Sequence, residues 1–325
     1  MGFWRISADT LASGRFVVSP LAEATAALKT LERGTAAHPG ERTWLDAHLP
    51  AYRARLTDDP ITALLVRAAL GRTWNADFLT PTPTGDESSF EEELTRIRET
   101  PPGRAREDLT LSLGGPLPPA LHRSDLPERL ADHMEWVWRE SVLPYWPRRR
   151  RVLEADVVAR TARLSRGGWA AALDGLRPGM RWLGDGRLRV NTYDYPPRDL
   201  SGTRLMFVPV TPRQAWASWD DSDHRSAVVY PCSGTLADTP AGPPEALGRL
   251  MGHARAGVLV LLDSPKSTTQ LVALTGQGLG SVGGHLKVLL DARLVGRRRS
   301  GRSVLYYRTE AGDVLVLAQP DHRGP

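Results

Sequence analysis

Residues 277–308, QGLGSVGGHLKVLLDARLVGRRRSGRSVLYYR, constrain the fold more than any other stretch of the chain. Val282, Leu286 and Leu289 recur at i, i+4 and i+7, which places three apolar side chains on one face of a helix. A knot of arginines ends that pattern. LVGRRRS and SVLYYRT then flank Gly301 as two strand-like segments around a turn. A half-apolar helix followed at once by a basic hairpin needs a scaffold on one side and leaves the other side open.

The preceding segments supply the scaffold. EALGRLMGHARAGVLVLLDSP reads as a helix ended by Pro265. STTQLVALTG reads as a second, with Ser267 as N-cap and Gly276 as its stop. Three helices and a hairpin in that order predict a winged helix-turn-helix over 241–318. Its third helix is narrow enough to enter a major groove. Arg297, Arg298, Arg299 and Arg302 at the hairpin tip can reach flanking phosphates or the minor groove. Charge agrees with this reading. Residues 246–325 hold eleven Lys/Arg against five Asp/Glu, a balance of +6, while the whole chain is +5, so residues 1–245 sit at −1. A basic segment on a near-neutral remainder suits a polyanion such as nucleic acid; a solvated basic face without a partner is the other reading.

The remaining residues of the 325 are too many for one small domain. FWRIS predicts a short strand, and SPLAEATAALKTLERG a helix capped by Ser19, opened by Pro20 and stopped by Gly34. Further helical patterns run through ERTWLDAHLPAYRARL, DDPITALLVRAALG, SFEEELTRIRET, and RSDLPERLADHMEWVWRESVLPYW. RRRRVLEADVVARTARLSRGGWAAALDGL predicts one more long helix, its arginines on a solvated face. From about residue 180 the segments shorten and gain β-formers, with LGDGRL as a hairpin turn. SGTLADTPAGPPEA has the composition of a linker. The expected fold class is α+β, mainly helical. An N-terminal helical domain (1–240), with a small β region at about 180–232, precedes the winged helix (241–318) and a flexible tail (319–325).

The segment TTQLVALTG…SVGGHLKVLLDARLVGRRRSGRSVLYYRTEAG resembles the ArsR-type winged-helix transcriptional regulators. Their recognition helix runs Ser-x-Ser-x-Val-Ser-x-His-Leu-x-x-Leu, followed by an Ala-Gly-Leu-Val-like turn and a wing containing Gly-Arg. PLAEATAALKTL, ADFLTP, LPYWPRRRRVLEADVVART and VVYPCSG resemble the long N-terminal domain that fronts one bacterial group of these regulators. The resemblance implies a repressor that binds double-stranded DNA as a homodimer, located in the cytoplasm at the nucleoid. It also departs from the family pattern. Gly280, Gly283 and Gly284 replace small polar residues in the recognition helix, each costing roughly 1 kcal/mol relative to alanine and removing a side chain that could read a base. Ser281 and His285 remain as groove-facing candidates, with solvation and a backbone hydrogen bond as their respective alternatives. Lys287 and the wing arginines are expected on phosphates. Ser267, Thr268, Gly280 and Gly284 complete the expected DNA-facing set.

Metal sensing is the best-known trade of that family, through Cys pairs before the turn or Asp/His sets on a terminal helix. Here STTQLVALT has no Cys, and the terminal segment supplies only Asp313, Asp321 and His322, so no regulatory metal or cofactor is expected. Asp220, Asp221, Asp223 and His224 in WDDSDHR read as a polar loop. No phosphate loop, His-Glu-x-x-His or nucleophile elbow occurs, and Cys232–Ser233 has no His placed beside it by any motif, so no enzyme is expected. The single cysteine excludes an intrachain disulfide framework. Neither a membrane span nor a signal peptide is expected. Tryptophans crowd the middle segment, where core packing is the default. Trp136, Trp138, Trp182 and Trp216 are the candidates to line a pocket for a small-molecule effector. The alternative is an effector-less regulator whose N-terminal domain is a platform for protein interaction or oligomerisation.

Overall fold

The computed structural model describes residues 3–37, 39–85, 88–173, 175–177, 179–191, 196–232, 243–262, 265–275, 277–300 and 303–318. The fold is mixed α+β and mainly helical, with small sheets. The chain opens with β1 (Trp4–Arg5), α1 (Ala8–Ala12) and β2 (Arg15–Phe16). A helical block follows: α2 (Pro20–Arg33), α3 (Pro39–Asp58), α4 (Pro60–Ala69), α5 (Phe90–Arg98), α6 (Pro102–Leu113) and α7 (Leu126–Val137). A π turn (Trp138–Val142) and a 3-10 turn (Leu143–Tyr145) lead into α8 (Trp146–Leu173).

Helix α2 is the pivot of the block. The Ser19 hydroxyl accepts the Ala22 N–H at 3.0 Å, Pro20 sits in the first turn, and Gly34 closes the helix at φ 64°, a left-handed angle that glycine adopts without a Cβ clash. Every residue from Pro20 to Leu31 is buried, so the helix is surrounded on all sides. Its polar side chains therefore need partners. Glu23 accepts hydrogen bonds from Arg149 at 2.9 Å, from the Thr211 N–H at 2.8 Å and from the Thr211 hydroxyl. Arg149 also lies over the rings of Trp44 and Tyr145. This corrects the expectation for residues 148–151: Arg149 is a buried clamp between α8 and α2, while Arg150 pairs with Glu154 on the surface.

The β region holds β3 (Arg181–Gly184), β4 (Arg187–Arg189), β5 (Arg198–Asp199), β6 (Arg204–Val210), β7 (Trp216–Asp220) and β8 (Arg225–Pro231). The N-terminal strands join it. One sheet has the order β3-β4-β1-β5, with Trp4 opposite Leu188 and Arg198; the other has β2-β6-β8-β7, with β2, β6 and β8 parallel. The β region thus takes in residues 4–5 and 15–16, which its expected start near 180 did not include. Period-two alternation sorts the two central strands of the second sheet onto two layers. Met206, Val208, Val210, Ala227 and Val229 pack with Ala22 and Ala26 of α2. Leu205, Phe207, Val228 and Tyr230 pack the other way, with Trp4, Leu173 and Leu176.

The last unit comprises α9 (Glu245–Met251), α10 (His253–Leu261), β9 (Lys266–Ser267), α11 (Thr268–Thr275), α12 (Leu279–Asp291), β10 (Val295–Ser300), β11 (Ser303–Arg308) and α13 (Glu310–Leu317). Val258, Leu259, Leu271, Val282, Leu286 and Leu289 form its core, and the strands make a sheet of order β10-β11-β9. Two expected continuous helices are broken at glycine. Gly252 at φ 86° separates α9 from α10, and Gly168 at φ 66° kinks α8. Helix α11 lies against α8, which joins this unit to the rest of the molecule. Of the expected linker, 233–246, residues 233–242 lie outside the described residues, while Glu245 and Ala246 already open α9; the expected tail from 319 to 325 also lies outside the described residues. Among the described residues no helix is long and apolar enough to cross a membrane.

Candidate nucleic-acid interface and interior cavity

Helix α12 buries one stripe and exposes the rest. Val282, Leu286 and Leu289 are at most 1% accessible, as their spacing requires. At 100° per residue the positions farthest from that stripe are Gly280, Gly284, Lys287 and Asp291, and all four are exposed. The outer ridge is therefore largely bare backbone: a Cβ added at Gly280, Gly283 or Gly284 would meet nothing within 4 Å. Ser281 and His285 occupy the flank. The Ser281 hydroxyl donates to Gln277 at 3.1 Å and lies 3.4 Å from His285 Nε2. Gly278 precedes the helix and provides no side-chain cap, so the first-turn N–H groups keep their capacity for an external acceptor. Ser267 is occupied differently. Its hydroxyl accepts the Gln270 N–H at 3.3 Å while Gln270 Oε1 accepts the Ser267 N–H at 2.8 Å, a reciprocal cap at the start of α11 beside half-buried Thr268. Asp291 escaped the sequence reading. Its carboxylate is a hydrogen-bond acceptor at the end of the ridge, the chemistry that matches a cytosine amino group.

The hairpin extends β10 along β11, pairing Arg297 with Tyr306, Arg298 with Leu305 and Arg299 with Val304. The strand pleat puts Arg297 and Arg299 on the face of buried Val295, and Arg298 on the opposite face. The Tyr307 ring lies over Gly296, where a Cβ would come within 2.7 Å of it. All three guanidinium groups are exposed, and among the described residues none pairs with a carboxylate. Arg302 lies outside the described residues.

The four candidate tryptophans do not converge. Trp136 packs beside Tyr52 and His133, Trp138 stacks on Phe90 at 4.6 Å inside the helical core, and Trp182 packs on the first sheet. These three belong to cores rather than to a pocket, because each is fixed by its own layer. Trp216 alone lines the large cavity, of about 730 Å³, where α2, the loop from 71 to 77 and the two sheets meet. Trp4, Trp74 and Trp219 join it there. Trp74 and Trp219 meet edge to face at 4.7 Å.

Among the described residues, five cations and one acid line the cavity: Lys29, Arg33, Arg72, Arg177 and Arg198 against Asp77. Lys29 is buried, 5.2 Å above the Trp216 ring, and donates to Asn75 Oδ1 at 3.1 Å. Burial, then Arg33 and Arg177, lower its pKa to about 7. Burial and Asp108 push Asp77 up to about 6, with the Trp74 indole bonded to it. Arg198 stacks on Trp219 and pairs with Asp221. Arg33 and Arg72 carry no ion pair among the described residues. One local sign of this site was present in the sequence: Lys29 follows Ala22 and Ala26 at helical spacing, a cation on the stripe that packs under the sheet.

The WDDSDHR segment is a turn whose carboxylates are held by arginines: Asp220 and Asp223 by Arg225, and Asp221 by Arg198. No group of three or more His, Cys, Asp or Glu residues suited to a metal occurs among the described residues. Burial, then Asp156 and Glu23, push the Cys232 thiol well up, which keeps it protonated and a poor nucleophile; Ser233 lies outside the described residues. Compared with family models, with curated proteins and with solved structures, the chain matches none of them.

Proposed function

We propose that the chain is a sequence-specific, DNA-binding transcriptional regulator: a repressor that acts as a dimer and is released by a small molecule bound in its N-terminal body. In this reading residues 241–318 are a winged helix-turn-helix, α12 enters the major groove, and the β10–β11 hairpin grips the phosphates. The observation that carries it is the exposed outer ridge of α12 beside Arg297, Arg298 and Arg299, three guanidinium groups with no carboxylate to neutralise them among the described residues. A basic hairpin tip has no core to serve. The glycine ridge lets helix backbone approach the duplex closely, so much of the affinity is electrostatic and falls steeply with salt.

The cavity supports the effector half of the proposal over a flat interaction platform, since it is a concave, partly open recess, aromatic-lined and of ligand size. A connected route leads from it to the DNA-facing unit. Strand β7 pairs with β8, Tyr230 of β8 donates to Asp156 of α8 at 2.8 Å, and α8 packs on α11. Catalysis is not part of the proposal. The charges that most perturb Lys29 are Arg33 and Arg177, while those that most perturb Asp77 are Asp108, Arg104 and Arg198, which does not mark the two as an acid–base pair.

Capture of genomic DNA by the purified protein tests the reading. The wild type should retain a restricted set of fragments, and the Arg297→Ala/Arg298→Ala/Arg299→Ala variant should release them at lower salt. Retention of the same fragments at the same salt rules out the wing. A monomer at micromolar concentration that binds DNA one to one, by sedimentation, rules out the dimer.

A further inference from the structure

We propose that the cavity between α2 and the two sheets binds a planar aromatic carboxylate, with its ring between the tryptophans and its carboxylate on Lys29. This inference rests on the reading of the N-terminal body as an effector domain and names the chemical class that the site would take.

The walls set the shape. Trp4 and Trp216 are buried and form the floor, while Trp74 and Trp219 stand at the rim. Indole faces favour flat, polarisable ligands. A volume of about 730 Å³ accommodates a molecule of one to three rings. The charges set the sign. Lys29 reaches the cavity from α2 with Asn75 as its one hydrogen-bond partner among the described residues. An ammonium has three donors, so two remain for a ligand oxygen. Exposed Arg33 and Arg72 add positive potential at the mouth, where Asp77 is the one opposing acid among the described residues. A neutral ligand would leave the lysine poorly compensated in an apolar setting, and a cation would be repelled. A carboxylate supplies the missing counter-charge, and the surrounding aromatic walls select a planar body over a bare inorganic anion.

The lysine also gives the site a pH signature. Arg33 on its own helix, Arg177 after α8, Asn75 on the 71–77 loop and Trp216 on β7 act on Lys29, and Arg72, Asp77 and Arg198 line the same cavity. Lys29 loses its proton near pH 7 in the empty site. Carboxylate binding is therefore strongest below that value and weakens above it.

Tryptophan fluorescence and calorimetric titrations of the full chain, without DNA, test the proposal with 2-naphthoate, 2-naphthamide and inorganic phosphate as probes. At about one pH unit below the lysine's value, the wild type should bind the naphthoate at least about tenfold more tightly than the amide, and phosphate more weakly than either. In Lys29→Met the acid-over-amide preference should fall below about threefold and lose its pH dependence. Replacing a buried lysine by an apolar isostere keeps the fold, and an unchanged melting temperature verifies that. The Arg297→Ala/Arg298→Ala/Arg299→Ala variant should bind naphthoate like the wild type, which separates the cavity from the basic hairpin. Equal binding of acid and amide, binding of neither, or a full preference surviving in Lys29→Met each overturns the inference. DNA affinity measured without any ligand reports separately on the regulator reading, so failure of one is distinguishable from failure of the other.

Discussion

The C-terminal unit and the N-terminal body treat the same residue type in opposite ways. Arg297, Arg298 and Arg299 stand in solvent on a two-stranded arm, while Arg149 and Arg160 are buried and tied to Glu23 and Asp156. An exposed cation costs almost nothing to keep and is available to a partner. A buried one is committed, because removing its counterpart leaves an uncompensated charge. The arginines of the arm are thus dispensable for folding, whereas buried Arg149 and Arg160 of the body are part of it.

Stability measurements can break this contrast. The largest effect is expected at the clamp: Arg149→Ala should lower unfolding free energy by about 3–5 kcal/mol in urea titrations, because Glu23 is left buried without its cation. Arg298→Ala should change it by less than about 0.5 kcal/mol. Comparable losses at both sites would erase the distinction.

The second expectation concerns His133, fully buried in the helical core with neither ring nitrogen hydrogen-bonded. Burial, then Arg55, lowers its pKa to about 4. The unfolded chain takes up a proton near 6.5 that the folded chain refuses, so this residue's contribution is intact above about pH 6.5 and is lost on acidification to about pH 4, by roughly 3 kcal/mol. Glu93, raised to about 7, and Asp77, raised to about 6, act in the opposite sense: they hold protons more tightly when folded. The histidine term is therefore the difference between wild-type and His133→Leu melts across that range. A constant difference would contradict it.

An effect smaller than those of the clamp and the histidine is expected in α12. Gly283→Ala meets no neighbour and should stabilise the protein by about 1 kcal/mol in thermal melts. Gly284→Ala should add as much stability while weakening DNA binding, since its methyl group stands on the outer ridge. Equal effects of the two substitutions on DNA would show that the ridge is not the contact.

The two regions also differ in how much of them the sequence made legible. The C-terminal unit is local. Val282, Leu286 and Leu289 lie within eight residues, and the hairpin pairs segments as close in sequence as Ser300 and Ser303, so periodicity and local pairing suffice. The body is assembled from distance. Trp4, Lys29, Trp74, Arg177 and Trp216 come together only because β1 crosses to β4 and β5 and because α2 slides under the second sheet. Tryptophan density over 136–182 pointed to the helical and sheet cores instead, since aromatic content marks burial without saying which layer receives it. Arg149 read as solvated because its partner, Glu23, lies 126 positions away. Gly168 and Gly252 sit in helical patterns that tolerate glycine, and only the backbone angle reveals the breaks.

The central claim, that the cationic hairpin grips a duplex, is tested most directly by the salt dependence of DNA binding. Each phosphate contact contributes about 0.9 to the slope of log affinity against log salt concentration. For one selected genomic fragment, the Arg297→Ala/Arg298→Ala/Arg299→Ala variant should flatten that slope by about two to three, in proportion to the contacts removed. An identical slope in wild type and variant would contradict the account.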